Sequence, residues 1–183
     1  MEAARPRVLP DAILPGPIRQ NGYVVRDLGA AIDGWLDAGV GPWLLLPHIT
    51  QKGSVYRGQP TEPVTSIAFA NSGALQVELI EQEDDSPSIY REFLDAGRQG
   101  FHHLAWWVDD FEAVARAAAG AGWPVVHAGN TGGMAQFAYY DQGEVTSTVI
   151  EVMELTDVTR WLIAAVREAA EDWDGSDPVR NLV

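Results

Sequence analysis

Four polar side chains interrupt apolar segments that otherwise have the composition of β-strands. They are Gln20, Glu78, His103 and Glu151. A carboxylate that faces the interior of a sheet is unfavourable by several kcal/mol unless it is paired, hydrogen-bonded or bound to a metal ion. Amide oxygen, imidazole and carboxylate together suit a divalent Zn, Ni, Co, Mn or Fe ion in an open, partly hydrated site. We therefore predict a divalent metal site at these four residues, provided that the fold brings them together.

Each of the four also has an ordinary structural interpretation. A histidine on a strand is usually a core or interface residue, and either glutamate would be solvated on an exposed sheet face. A functional role is favoured because the four occupy equivalent positions of an internal duplication. The segment beginning at Gln20 repeats from His103 at a constant offset of 83 residues, which also matches the helix caps Asp27 and Asp110. A strand, a cap and a helix that repeat at one offset indicate two copies of one unit.

The strand predicted at residues 101–109 begins with two adjacent histidines. Side chains alternate between the two faces of a strand, so His103, Ala105 and Trp107 share one face and His102 lies on the other. We therefore predict that His103 faces the metal site and that His102 faces away from it.

The hydrophobic pattern predicts the order β-α-β-β-β in each copy. In the first copy, strands are predicted at 18–25, 42–49, 65–70 and 75–81, with a polar loop at 50–63. The organisation that follows is an N-terminal arm (1–16), a first module (17–84), a linker helix (85–99), a second module (100–155), and a C-terminal helix and tail (156–183). The last residues of this tail are expected to be frayed.

Composition limits the classes of partner. Twenty-six acidic residues against twelve basic ones give a formal net charge of −14, which argues against nucleic acid or an anionic membrane as a partner, since both require basic patches. The chain contains no cysteine, so disulfides and thiolate metal sites are absent, and a reducing cytoplasmic location is expected. We therefore expect a small-molecule partner, with no nucleic acid and no membrane.

The chain resembles the vicinal oxygen chelate superfamily in its paired units and in two stretches, Gly-Tyr-Val-Val-Arg-Asp-Leu at 22–28 and His-His-Leu-Ala-Trp-Trp-Val-Asp-Asp at 102–110. The endings Glu-Leu-Ile and Ile-Glu-Val-Met-Glu-Leu of the two last strands strengthen the resemblance. That superfamily includes glyoxalase I, methylmalonyl-CoA epimerase, extradiol dioxygenases and bleomycin-resistance proteins. The resemblance covers residues 17–155 and implies an α+β fold in which two tandem βαβββ units form a half-barrel cleft.

The resemblance also implies a ligand set, with one ligand from each first and last strand. Gln20 and Glu78 take these places in the first module, and His103 and Glu151 take them in the second. This combination resembles animal-type glyoxalase I. Extradiol dioxygenases instead use two histidines and one carboxylate, the metal-free resistance proteins usually lack the ligands, and the epimerases usually carry histidine at the place of Gln20.

An open metal site flanked by carboxylates suits proton transfer next to a carbonyl, as in an isomerase, an epimerase or a glyoxalase-like lyase. Glu151 is the predicted base and Glu78 its partner. Because lysine is nearly absent and aromatic residues are frequent, we expect an apolar or aromatic carbonyl substrate. The predicted substrate contacts are His48, Tyr56, Trp107 and Tyr139. The alternatives are a metal-free binding or resistance protein and, with less support, an extradiol-type dioxygenase. A homodimer is expected, because half-barrels expose strand edges.

Overall fold

The computed structural model describes residues 12–142 and 148–182. Within these ranges the chain forms four helices and eleven strands, and no helix is long and apolar enough to cross a membrane. The strands are β1 (Gln20–Val24), β2 (Trp43–Thr50), β3 (Ser54–Tyr56), β4 (Gln59–Thr61), β5 (Val64–Ser72), β6 (Leu75–Gln82), β7 (Gly100–Val108), β8 (Val125–Asn130), β9 (Gln136–Asp141), β10 (Val149–Glu154) and β11 (Val179–Asn181). The helices are α1 (Leu28–Asp37), α2 (Ile89–Asp95), α3 (Phe111–Gly120) and α4 (Asp157–Ala170). The α+β class with two βαβββ units is therefore confirmed.

All the strands belong to one mixed sheet with the order β11-β2-β5-β6-β1-β7-β10-β9-β8-β3-β4. In each module the first strand lies parallel to the last, so β1 pairs with β6 and β7 pairs with β10. The modules join where β1 and β7 pair antiparallel. In that pair Gln20 faces Ala105 and Gly22 faces His103, which is the arrangement that a two-fold axis between duplicated strands produces.

Helices cover both faces of the sheet. On the outer face, α1 packs against the first module around Leu28 and Ile32, and α3 packs against the second around Phe111 and Val114. Side chains from α2 and α4 instead pack against the inner face, which carries Gln20, Glu78, His103 and Glu151. As predicted, Asp27 and Asp110 cap α1 and α3, because each side chain accepts a hydrogen bond from the backbone N–H three residues later.

Two segments predicted to lack regular structure are strands, and both predictions were wrong. The loop at 50–63 contains the hairpin β3–β4, in which Arg57 and Gly58 have the positive φ angles (47° and 78°) of a two-residue type I′ turn. This hairpin leaves the first module and pairs with β8 of the second. The tail expected to be frayed forms β11, which adds in parallel to β2.

These two additions change the basis of the expected homodimer. β11 covers the β2 edge of the first module, and the hairpin covers the β8 edge of the second. The edges that motivated the homodimer are therefore paired within one chain, and the homodimer stays a prediction. Residues 1–11 of the predicted arm and residues 143–147 of the predicted second module lie outside the described residues.

Candidate metal centre

Two adjacent cross-strand rows place the predicted ligands on the inner face. One row runs through Glu78, Gly22 and His103 on β6, β1 and β7. The other runs through Gln20, Ala105 and Glu151 on β1, β7 and β10. Each row is centred on a small residue, so the longer side chains on either side can lean toward one another. The duplication has thus placed one carboxylate and one other donor in each row.

Gly22 makes room for the central ligand. A Cβ atom added at Gly22 would lie 1.8 Å from Cε1 and 2.1 Å from Nε2 of His103, which no real contact permits. The imidazole therefore lies directly over the backbone of β1. Any larger residue at this position would displace the ring and with it the donor nitrogen.

Glu78, His103 and Glu151 converge on one point. Nε2 of His103 lies 3.2 Å from Oε2 of Glu78 and 3.2 Å from Oε2 of Glu151. The imidazole has no exposed surface, and the glutamates are 7% and 6% exposed. The three donor atoms lie within 4.8 Å of one another, yet none of them has a hydrogen bond of proper geometry. Three buried ligand atoms that face each other in this way form a site that could hold a metal ion.

The charges of the triad lead to the same conclusion. Burial raises the pKa of Glu78, although the neighbouring His103 opposes this rise. Burial alone would lower the pKa of His103, but the charge of Glu151 and the acceptor oxygens of both glutamates outweigh it and raise that pKa to about 9. Even with a protonated imidazole, two carboxylates leave one net negative charge in the interior. A divalent cation bound to two carboxylates and a neutral imidazole would leave none.

The donor spacing also fits a divalent metal. Metal–nitrogen and metal–oxygen bonds of about 2.0–2.2 Å place neighbouring donors of an octahedral or tetrahedral site about 2.8–3.6 Å apart. The two Nε2–Oε2 separations of 3.2 Å lie inside this range. One nitrogen and two carboxylate oxygens, with no thiolate, suit Zn, Ni, Co, Mn or Fe. The residues therefore fit the predicted group.

Gln20 lies beside the triad in the adjacent row. Its Nε2 donates a hydrogen bond to Oε1 of Gln76 at 2.7 Å, and both side chains are buried. This bond leaves Oε1 of Gln20 without a partner among the described residues. A buried amide oxygen beside the triad is available as a fourth ligand, and that role stays a prediction.

The prediction that His102 faces away from the site was wrong. The pairing of β7 with β1 shifts between Gly22 and Tyr23, so that Gly22 faces His103 while Tyr23 faces Phe101. His102 is the extra residue of this β-bulge, and alternation fails there because a bulge turns two successive side chains toward one face. Nδ1 of His102 lies 3.0 Å from Nδ1 of His103. Sequence reasoning therefore missed a residue in contact with the centre.

The model of the Glyoxalase/Bleomycin resistance protein/Dioxygenase superfamily matches residues 19–140, which is more than half of the chain. The chain belongs to this superfamily. The resemblance seen in the sequence is thereby confirmed. A search of curated proteins found no match.

Solved structures share the superfamily fold at low sequence identity. A hypothetical protein from Bacillus halodurans C-125 has a TM-score of 0.57 and 18% identity, with coverage of 77% of this chain and 95% of that chain. Methylmalonyl-CoA epimerase from Mycobacterium tuberculosis has a TM-score of 0.56 and 22% identity, with coverage of 84% and 97%. A Streptomyces coelicolor methylmalonyl-CoA epimerase variant in complex with 2-nitronate-propionyl-CoA has a TM-score of 0.52 and 20% identity, with coverage of 78% and 96%. Similarity at these identities shows the fold alone.

Residues of α4 lie over the inner face beside the triad. A cavity of about 40 Å³ lies between the inner face and α4, and both Glu78 and Glu151 line it. Most of its wall is apolar, including Phe69, Met153 and Leu162, and none of the described residues that line it is lysine or arginine. The triad therefore faces a small chamber whose remaining wall is mostly apolar.

A directed hydrogen-bond chain crosses the wall of this chamber. Nε2 of Gln51 donates to the Tyr90 hydroxyl at 3.3 Å, which in turn donates to the Tyr139 hydroxyl at 3.1 Å. Tyr139 faces Glu151 across the β9–β10 pair, and its own proton has no acceptor among the described residues. Burial raises the pKa of Tyr139 well above its usual value, so the hydroxyl remains a neutral donor.

Of the four predicted substrate contacts, the structure brings only Tyr139 to this chamber. The His48 side chain is 76% exposed, and its Nδ1 lies 2.7 Å from Oε2 of Glu83. Tyr56 bonds to Glu92, and its ring packs against His127. Trp107 lies on the inner face as alternation predicted, but it lines a separate cavity beside Arg160 and Arg167 of α4.

Proposed function

We propose that this protein is a metal-dependent enzyme that transfers a proton at the carbon next to a carbonyl group. The reaction class is isomerase, epimerase or glyoxalase-like lyase, and the substrate is a small apolar or aromatic carbonyl compound. The observation that carries this proposal is the convergence of three unpartnered donors, from Glu78, His103 and Glu151, on the wall of an otherwise apolar chamber. One imidazole and two carboxylates differ from the two-histidine, one-carboxylate set that dioxygenase chemistry uses, which disfavours that alternative.

The two glutamates have separate roles in this proposal. A divalent cation held by the triad would supply positive charge that polarises the substrate carbonyl and so makes the proton on the adjacent carbon more acidic. Glu151 removes the proton and returns it, and Glu78 stays a ligand across the pseudo-two-fold axis. Gln20 supplies its amide oxygen as the fourth ligand. The apolar wall excludes water, which keeps the carboxylate of Glu151 reactive toward the substrate rather than solvated.

Tyr139 orients the substrate. Its hydroxyl accepts a hydrogen bond from Tyr90, whose hydroxyl accepts one from Gln51. The Tyr139 proton is therefore free to point into the chamber. A substrate oxygen beside Glu151 would complete the chain, because the Tyr139 proton is the one left without an acceptor among the described residues. Chains of this kind strengthen the terminal donor by polarisation.

The lining of the chamber favours a small uncharged substrate. Coenzyme A phosphates or glutathione carboxylates require cationic partners, and no described lysine or arginine lines the chamber. At about 40 Å³ the cavity is also far smaller than the roughly 300–1,000 Å³ of ordinary ligand sites. Admission of anything beyond a few heavy atoms therefore requires movement of α4. A cytoplasmic location, expected from the composition, remains part of the proposal.

The test follows hydrogen exchange by NMR. Metal-loaded protein is incubated in deuterated water with a panel of small aliphatic and aromatic aldehydes and ketones, and deuterium uptake next to the carbonyl is measured. Glu151→Gln keeps an oxygen donor but removes the base, so exchange should fall about 100- to 10,000-fold while metal content falls far less. Glu154→Gln, on the outer face of the same strand, is the matched control and should retain exchange.

Two outcomes would overturn the proposed reaction, and a third would overturn the role of Glu151. Oxygen consumption with ring-cleaved product and no deuterium uptake would assign the protein to dioxygenase chemistry. Tight binding of a panel compound with neither reaction would assign it to the binding or resistance proteins. Exchange that Glu151→Gln leaves unchanged would remove Glu151 as the base.

A further inference from the structure

The bulge in β7 places a second imidazole behind the metal-facing one. His102 is 6% exposed, and its Nδ1 lies 3.0 Å from Nδ1 of His103. Nε2 of His103 points the opposite way, toward the two carboxylates. The ring of His102 is therefore on the side of His103 that no metal ligand occupies.

Hydrogen-bond chemistry determines how the two rings must be protonated. A neutral imidazole that gives the lone pair of Nε2 to a metal carries its one proton on Nδ1. Two Nδ1 atoms in hydrogen-bond contact need one donor and one acceptor, so Nδ1 of His102 must accept. The remaining proton of His102 then lies on Nε2.

We propose that His102 is a positioning residue that fixes the tautomer and orientation of His103 for metal binding. The inference rests on the proposed metal site. Ligand histidines in proteins ordinarily give their second N–H to a carboxylate, a backbone carbonyl or water. In this chain a second histidine takes that place.

The surroundings of His102 hold its ring in place. The Phe93 ring of α2 packs edge-on at 5.0 Å between centroids, and the Tyr139 ring packs at 6.0 Å. Tyr139 also packs against His103 at 5.0 Å, so the two imidazoles share one aromatic neighbour. With its ring fixed in this way, His102 presents the acceptor nitrogen in one direction only.

The experiment compares three variants in cobalt and zinc titrations. His102→Phe keeps an aromatic ring and removes the acceptor, so metal affinity should fall about 10- to 100-fold and the cobalt absorption spectrum should change. His102→Asn places an amide oxygen close to the position of Nδ1 and should restore affinity to within about threefold of wild type, with a wild-type spectrum. His127→Phe is the matched control. His127 is another fully buried imidazole packed against Tyr90 and Tyr139, and it has no partner for either nitrogen among the described residues.

NMR of histidine-labelled, zinc-loaded protein reads the tautomers directly. The inference requires His103 with its proton on Nδ1 and His102 with its proton on Nε2. A His102 protonated on Nδ1, or a His102→Phe variant that binds cobalt with wild-type affinity and spectrum, would overturn the inference and leave the proposed function intact. A wild-type protein that binds neither metal would overturn both. Loss of affinity that is equal in the Phe and Asn variants would mean that His102 contributes only packing.

Discussion

Metal binding should displace a proton from His103. The pKa of this imidazole is raised to about 9, because the charges of Glu151 and Glu78 outweigh the opposing effect of burial. At pH 7, which lies below this pKa, the ring of the metal-free protein is therefore mainly protonated. A metal ion needs the lone pair of Nε2 and must compete with that proton.

The pH dependence of metal affinity follows from the pKa of His103. Below pH 9 the affinity for a divalent ion should rise about tenfold per pH unit, or about 1.4 kcal/mol, and it should level off above pH 9. The carboxyl of Glu78, whose pKa is also raised by burial, adds to the proton count toward acid pH. Between pH 6.5 and 8 the slope should therefore be at least about one proton per metal ion.

Isothermal titration calorimetry in buffers of different ionisation enthalpy counts these protons. The experiment uses Mn²⁺ or Zn²⁺, with a competing chelator of known pH dependence where binding is tight. His127→Phe is the control, since burial lowers the pKa of His127 to about 4 and leaves it neutral throughout this range. A pH-independent affinity with no proton released would refute the reasoning, because it would mean that His103 is neutral beforehand or is not a ligand.

Three further predictions concern stability, the ring pocket and the sheet edge. Burial lowers the pKa of His127 to about 4, so between about pH 6.5 and pH 4 the ring is neutral in the folded state and protonated in the unfolded state. The free energy of unfolding therefore decreases as pH falls through this range. In urea unfolding, this free energy should decrease by about 2 kcal/mol less in His127→Phe than in wild type between pH 7 and pH 5. Gly22→Ala should displace the His103 ring and lower metal affinity about 100-fold or more in calorimetric titrations. Gly34→Ala on α1 is its control, because a Cβ atom added there meets nothing within 4 Å. This variant should keep the wild-type metal affinity and raise the free energy of unfolding by up to about 1 kcal/mol. Removal of β11 (Val179–Asn181) uncovers the edge of β2, and light scattering should then show greater self-association than in the full chain; an unchanged mass distribution would show that the edge needs no cover.

Much of the fold and of the site could be predicted from the spacing of residues in the sequence. The repeat that places Gln20 on His103 predicts paired modules, and the β1–β7 register shows that symmetry. Strict alternation along β6 and β10 predicts that Glu78 and Glu151 lie on one face, because neither strand is bulged at those residues. These predictions depend only on local spacing, so they were accessible without a structure.

The remaining features depend on partners that are distant in the chain. The inward turn of His102 is a property of how β7 pairs with β1, and a local pattern does not reveal a bulge. The strand partners of Tyr56 and of the C-terminal tail are likewise set by edges far away in sequence. Trp107 lies on the predicted face, but the course of α4 separates it from the chamber of Glu151. In each case tertiary packing decides which inner-face side chains meet.

Anomalous X-ray diffraction from crystals of the metal-loaded protein shows directly whether the triad binds a metal ion. We expect one strong anomalous peak per chain, about 2.0–2.2 Å from Nε2 of His103 and from a carboxylate oxygen of each of Glu78 and Glu151, and absent from the His103→Ala protein. Elemental analysis of the same samples should give about one metal ion per chain. A saturated crystal with an intact triad and no peak between these donors, or with metal only on the acidic surface, would show that the triad is not a metal site.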